Sequence, residues 1–292
     1  MNKIGPYLVL IAGILWGMIG LFVRKLNGFG FNSMDIVALR AVTTSILLGA
    51  FLFFYDKSKL KIRLKDIWCF IGTGVFSIVF FNFCYFKAIT LTSLSVAAIL
   101  LYTAPAIVMI LSAILFREKI TKIKVISLVL TFVGCVLVTG MVSGGDALNA
   151  QGILVGLGAG FGYALYSIFS RFALDRGYHS LTISLYTFVF AMFATIPLAD
   201  YKGISSICSK DYKTILFCLL FGLISTVLPY IAYTSGLQKM ENSKASIIAS
   251  IEPVTATLLG VAFYHESLSI LEILGVILVL GAITMNNLLE NK

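Results

Sequence analysis

Leu91–Thr121 reads LTSLSVAAILLYTAPAIVMILSAILFREKIT, and Lys239–Ser269 reads KMENSKASIIASIEPVTATLLGVAFYHESLS. The two stretches align without a gap at an offset of 148: Ser95 falls on Ser243, Ala97 on Ala245, Pro105 on Pro253 and Glu118 on Glu266. The same offset carries Gly74 to Gly222, Ser77 to Ser225 and Tyr85 to Tyr233, and an offset of 147 carries Trp16 to Tyr163 and Arg24 to Arg171. One such match means little; a shared offset running through several segments marks an internal duplication.

What is duplicated is a set of membrane spans. The 292 residues are 59% hydrophobic and 12% charged, with a mean hydropathy of +1.00. Soluble domains carry about 25% charged residues, so a soluble enzyme, a nucleic-acid-binding protein and a disordered chain are excluded. A transmembrane helix needs roughly 20 mostly apolar residues. Ten runs meet that length, at about 4–23, 34–55, 67–86, 95–116, 123–142, 152–173, 181–199, 214–235, 245–264 and 270–289. They are continuous rather than alternating, which argues against barrel strands. The fold expected is an all-α integral membrane protein of two five-helix units, 1–142 and 152–292, joined by a connecting loop at 143–151. Because five is odd, the second unit enters the bilayer from the opposite side. The halves are then inverted repeats, a design that supports alternating access to a midplane site.

The charge supports one orientation. Fifteen of the 22 Lys and Arg residues fall in the gaps on the side of the N-terminus, with Lys57–Lys65 and Arg117–Lys124 the densest, and six fall on the other; Arg40 lies within a span. The positive-inside rule puts both termini in the cytoplasm of a cell membrane, multi-pass, of the bacterial plasma-membrane type. The five cysteines have no metal-like spacing, and only His179 and His265 offer imidazoles. No cofactor is expected, and with no nucleotide-binding glycine loop ATP is not expected to drive the chain.

At this point the sequence resembles the EamA family of the drug/metabolite transporter superfamily. The resemblance rests on Trp16-Gly17, Arg40, Tyr163-Ala-Leu-Tyr166, Tyr102-Thr-Ala-Pro105 through Phe116-Arg-Glu118, and Ile251-Glu-Pro253 through Tyr264-His-Glu266. It covers nearly the whole chain. It implies a secondary carrier of small organic metabolites in the lipid bilayer, with export of amino acids or related compounds the leading reading and amines, quaternary ammonium compounds or cationic drugs the alternative. The absence of a midmembrane Lys/Arg pair in helices 8 and 9 departs from the phosphate-antiporter branch. No nucleic-acid partner is implied, and a homodimer stays open.

Candidate site residues follow from what is costly in hydrocarbon. Glu252 sits near the middle of the ninth span; a carboxylate there costs several kcal/mol (about 2.5–3.5 on insertion scales) unless protonated, hydrated or paired. It is expected either to couple transport to protons or bind a cation, or to cap backbone freed by Pro253. Pro105 and Pro253 should interrupt their helices at equivalent depths, and a paired break near the midplane points to a transporter site. Trp16, Asn82, Tyr85, Tyr102, Tyr163, Tyr166, Tyr230 and Tyr233 lie inside spans rather than at the interfaces where Trp and Tyr gather. They suggest an aromatic-lined cavity able to stack on a ring or hold an ammonium; the alternative is ordinary interhelix packing. Arg40 is expected to snorkel or pair with Asp35. Glu118 and Glu266 are expected at the interface, with gating as a second role. The glycines of spans 1 and 6 should let helices approach closely. An intramembrane enzyme finds no support, because no HExxH, DxxD or His/Asp cluster is present. A channel would need a charged ring or filter-like loop.

Overall fold

The computed structural model describes residues 4–140 and 149–289. Among them the chain is helical and free of strands, and ten helices fall on the ten expected spans: α1 (Ile4–Gly28), α2 (Ser33–Tyr55), α3 (Leu64–Leu91), α4 (Leu94–Phe116), α5 (Lys122–Val138), α6 (Ala150–Asp175), α7 (Ser180–Thr195), α8 (Tyr212–Leu237), α9 (Asn242–Tyr264) and α10 (Ile270–Leu289). The end of the fifth expected span and most of the expected 143–151 junction lie outside the described residues. Eight helices are long and apolar enough to cross a bilayer. The remaining two, α5 with 17 residues and α7 with 16, are shorter than expected. At 1.5 Å per residue they span about 24–26 Å, a little less than a hydrocarbon layer of about 30 Å.

The packing repeats the symmetry of the sequence. Helix α1 lies against α8 and α9, as α6 lies against α3 and α4. Three self-equivalent pairs, α2 with α7, α4 with α9, and α5 with α10, contact one another across the pseudo-two-fold axis. Equivalent local irregularities recur. Wider π-helical turns occupy Gly72–Val79 in α3 and Leu223–Val227 in α8. Both α4 and α9 end on a non-glycine residue in the left-handed region, Arg117 at φ 58° and His265 at φ 56°. Each of those two turns hands the next residue, Glu118 or Glu266, to the same place on its own half, with its amide bonded back to Ser112 or Gly260.

Both ends of the described chain lie on one face. Gly5 abuts Lys239, and Asn286 Nδ2 donates to the Lys244 carbonyl. The basic 56–66 connection is on this face too and is pinned rather than free. Asp66, buried at its tip, accepts hydrogen bonds from Arg63 Nε (2.6 Å) and the Tyr178 hydroxyl (2.9 Å) and an ion pair from Arg176. Thr182 and Tyr186 donate to the carbonyls of Lys59 and Leu60.

Two glycines set how closely the halves approach. A Cβ on Gly17 would meet the Glu252 carbonyl at 2.7 Å and Thr255 at 2.6 Å; one on Gly160 would meet the Leu100 carbonyl at 2.8 Å and Thr103 at 2.6 Å. Both contacts press a helix of one half onto the interrupted helix of the other, as small residues do where backbones meet in membranes. Gly17→Val should therefore lower the melting temperature in detergent by several degrees, with an overpacking cost of about 1–3 kcal/mol. Gly20→Ala, where nothing lies within 4 Å, should leave it unchanged.

Candidate functional site

Helices α4 and α9 are each made of two segments. The first runs Leu94–Leu101 and then Ala104–Phe116; the second runs Asn242–Ala249 and then Ile251–Tyr264. Pro105 and Pro253 lie in the first turn of each restarting segment. The missing amide there is one that a helix start leaves without an intrahelical acceptor in any case. The breaks consequently cost little on the donor side. On the acceptor side, Leu101 and Ala249 lose the amide that a residue other than proline would supply four positions on, while the Thr103 and Ser250 hydroxyls donate to the Leu100 and Ser246 carbonyls; hydrocarbon tolerates such a break only where protein or a cavity takes up the backbone.

Such a cavity is present at the break. A narrow space, with room for little more than a water molecule, is lined by Tyr102, Pro105, Tyr163, Ser167, Tyr233, Ser250 and Glu252. A second, equally small, shares Tyr163, Ser167 and Tyr233 and extends to Trp16, Phe81 and Tyr230. The wall between them is a cluster of rings. Trp16 packs at 5.2 Å from both Tyr230 and Tyr233 and at 6.4 Å from Tyr163, and Tyr166 lies 4.9 Å from Tyr230. Edge-to-face arrangements dominate, which suits ring quadrupoles. Two hydroxyls are fixed inside the cluster, Tyr166 with Thr234 at 2.6 Å and Tyr233 with Ser167 at 2.8 Å. The buried indole N–H of Trp16 has no partner among the described residues, although it lines the second space.

Glu252 enters from the first turn of the second α9 segment, where the helix dipole favours a negative charge. Its Oε2 accepts a hydrogen bond from the Tyr163 hydroxyl at 3.1 Å. The equivalent position of α4 is Ala104, so the carboxylate belongs to one half alone. Arg40 departs from expectation. Asp35 does not pair with it: that carboxylate caps the start of α2 with Asn32 and accepts the Asp200 amide at 2.9 Å. Arg40 is instead buried and turned inward, its Nε donating to Thr226 Oγ1 in the π-helical turn of α8 at 3.0 Å. Arg40 lines neither of the two spaces.

Two halves of the chain, residues 3–140 and 150–288, each match the EamA-like transporter family. The chain belongs to that family. It is 23% identical over 282 residues to "Uncharacterized transporter YxxF" of Bacillus subtilis (strain 168), covering 95% of this chain and 87% of that protein. It is 26% identical over 286 residues to an uncharacterized transporter of Archaeoglobus fulgidus, covering 96% and 95%. A solved structure with 19% identity superposes with a TM-score of 0.82 over the whole chain and 99% of its own, a likeness of fold. The protein is thus a multi-pass membrane transporter for small solutes, built from a repeated helical unit.

The structure brings Trp16, Tyr102, Tyr163, Tyr166, Tyr230, Tyr233 and Glu252 around the two spaces. It does not bring Asn82 and Tyr85 to their walls. Asn82 Nδ2 donates to the Ile78 carbonyl one turn earlier, and Tyr85 packs 6.0 Å from Phe81. Several lining residues were not singled out from the sequence, among them Phe81, Ser167, Ser246 and Ser250. Ser167 was recoverable, since it follows Tyr163 by four residues and so shares its helix face. Among the described residues no group of three His, Cys, Asp or Glu side chains could hold a metal ion. The Tyr163–Glu252 contact should be measurable as coupling. In a double-mutant cycle on thermal stability, Tyr163→Phe and Glu252→Gln should deviate from additivity by about 1 kcal/mol or more.

Proposed function

We propose that the protein is a secondary-active carrier of small zwitterionic metabolites, amino acids foremost, working outward by alternating access between the two five-helix units 1–142 and 152–292. The observation that carries this reading is a lone carboxylate at a helix break, facing an aromatic wall. Glu252 and the rings of Trp16, Tyr163 and Tyr233 suit an ammonium group. Arg40 suits a carboxylate, for which its planar fork is matched. The cavities are narrow, so the solute is taken to enter as the halves separate. The face holding both chain ends, rich in Lys and Arg, is assigned to the cytoplasm of the cell membrane. Glu252 is assigned the proton: protonated and solute-loaded states exchange on the same group, and an imposed proton gradient drives net movement.

A thermal-shift screen of purified protein should reveal the ligand, because a solute at 100 times its Kd adds about 2.7 kcal/mol to the folded state. Stabilisation by amino acids, lost in Arg40→Gln, supports the zwitterion reading. Stabilisation by amines or quaternary ammonium compounds alone, unaffected by Arg40→Gln, would replace it with the cation reading, which the Glu252 and aromatic pairing also favours. In proteoliposomes, Glu252→Gln should abolish uphill accumulation driven by a pH gradient while leaving solute counterflow within a few-fold of wild type. Normal uphill accumulation by that variant would remove the proton from the mechanism.

A further inference from the structure

The two faces of the molecule use equivalent residues differently. On the face carrying the chain ends, Glu118 reaches across from the first half to the start of α9. Its carboxylate accepts the backbone amides of Asn242 (2.7 Å) and Ser243 (3.1 Å) and the Ser243 hydroxyl (2.5 Å). Arg171 holds the same turn, with Nη2 on the Met240 carbonyl at 2.5 Å and Nε on Asn242 Oδ1 at 3.0 Å. The N-cap of α9, Glu241, supplies no side-chain cap of its own; its carboxylate goes to Lys124. The first turn of α9 is therefore capped by the other half of the chain, and Asn242 is 0% exposed.

The repeat supplies the same parts on the opposite face. Glu266 is the equivalent of Glu118, Arg24 of Arg171, and Leu94-Ser95 of Asn242-Ser243. There the clasp is not made. Glu266 pairs with Arg24 at 3.2 Å, both side chains more than half exposed (52% and 59%), and Arg24 rests 4.0 Å over the Tyr264 ring. Helix α4 caps itself through Ser93, and the Ser95 hydroxyl goes to Thr139 within its own half. Leu94 is 63% exposed.

We infer that Glu118–Arg171 and Glu266–Arg24 are the two gates of the carrier, each a carboxylate of one half that clasps, together with an arginine of the other half, the first turn of that other half's broken helix in turn. The first is closed here and the second is released. This rests on the alternating-access reading above. When the second gate closes, Glu266 takes the amides of Leu94 and Ser95, Leu94 becomes buried as Asn242 now is, and Glu118 lets go of α9. The bonds in question run from a carboxylate to backbone amides at a helix start, a strong class of contact. They can be remade on equivalent atoms, so the two end states differ little in energy.

The test is the rate at which Leu94→Cys reacts with a membrane-impermeant maleimide from its own face in proteoliposomes, with Cys208 replaced by Ser. Glu118→Gln should slow that reaction roughly three- to tenfold, by shifting the population toward the state with the second gate closed. Glu266→Gln should not slow it, and adding it to Glu118→Gln should restore the rate. If Glu118→Gln does not fold, Ser243→Ala, which removes one of the three bonds, should slow the reaction by a smaller factor. An unchanged rate in folded Glu118→Gln, or a slower one in Glu266→Gln, overturns the gate assignment. Counterflow of a radiolabelled amino-acid mixture in the same vesicles separates the two ideas: flux with unresponsive labelling sinks the gates alone, and no flux for any amino acid sinks the amino-acid carrier reading while leaving the labelling result to judge the gates.

Discussion

Hydrocarbon offers no partner for a peptide group, and the middle of this protein is organised by that fact. A helix can come apart within a bilayer only where protein or water takes up the loosened backbone. Here α4 and α9 come apart at equivalent depths and meet each other across the pseudo-two-fold axis. Everything placed at that level serves the break. Gly17 and Gly160 let neighbouring helices close over it, the tyrosines wall it, and the single acidic side chain of the region rises from its restarting segment. The prolines fit without strain because they sit where a helix start has no amide to satisfy.

The fold is built from two versions of one motif, but it does not adopt a symmetric state. One helix start is sealed by a carboxylate from the other half and a guanidinium from its own; its twin is left to cap itself. Backbone connectivity is the same on both faces, so the difference resides in a few polar contacts at the ends of helices. Those ends are also where exchange is cheapest, since carboxylates, amides and water can replace one another there without moving the packed apolar surface between α5 and α10.

Much of this was legible in the residues. Ten apolar runs gave the helices, and the 148-residue offset gave the inverted pair, because span length and duplication are written in simple periodicities. The paired prolines marked the breaks. Side-chain partnership was less accessible. Arg40 was expected to snorkel or to pair with Asp35, its near neighbour in α2, but Asp35 is committed to Asn32 and the Asp200 amide, and the guanidinium turns inward to Thr226, 186 residues away. Asn82 looked like a lining amide and instead bonds its own helix. Such choices are made by contacts between distant segments, which no local pattern records. The lengths of α5 and α7 were overestimated for a related reason: apolar residues continue past the helix end, so hydropathy alone does not locate it.

The lone Glu252, facing Ala104 in the twin position, makes the two halves chemically unequal although they are architecturally alike. A tandem chain assembled from two copies of the first half would keep the frame and the hinges and have a neutral centre. One assembled from two copies of the second would bring a pair of like charges toward each other in the driest part of the molecule. Placing the charge in one copy and an alanine in the other keeps a single carboxylate at the centre.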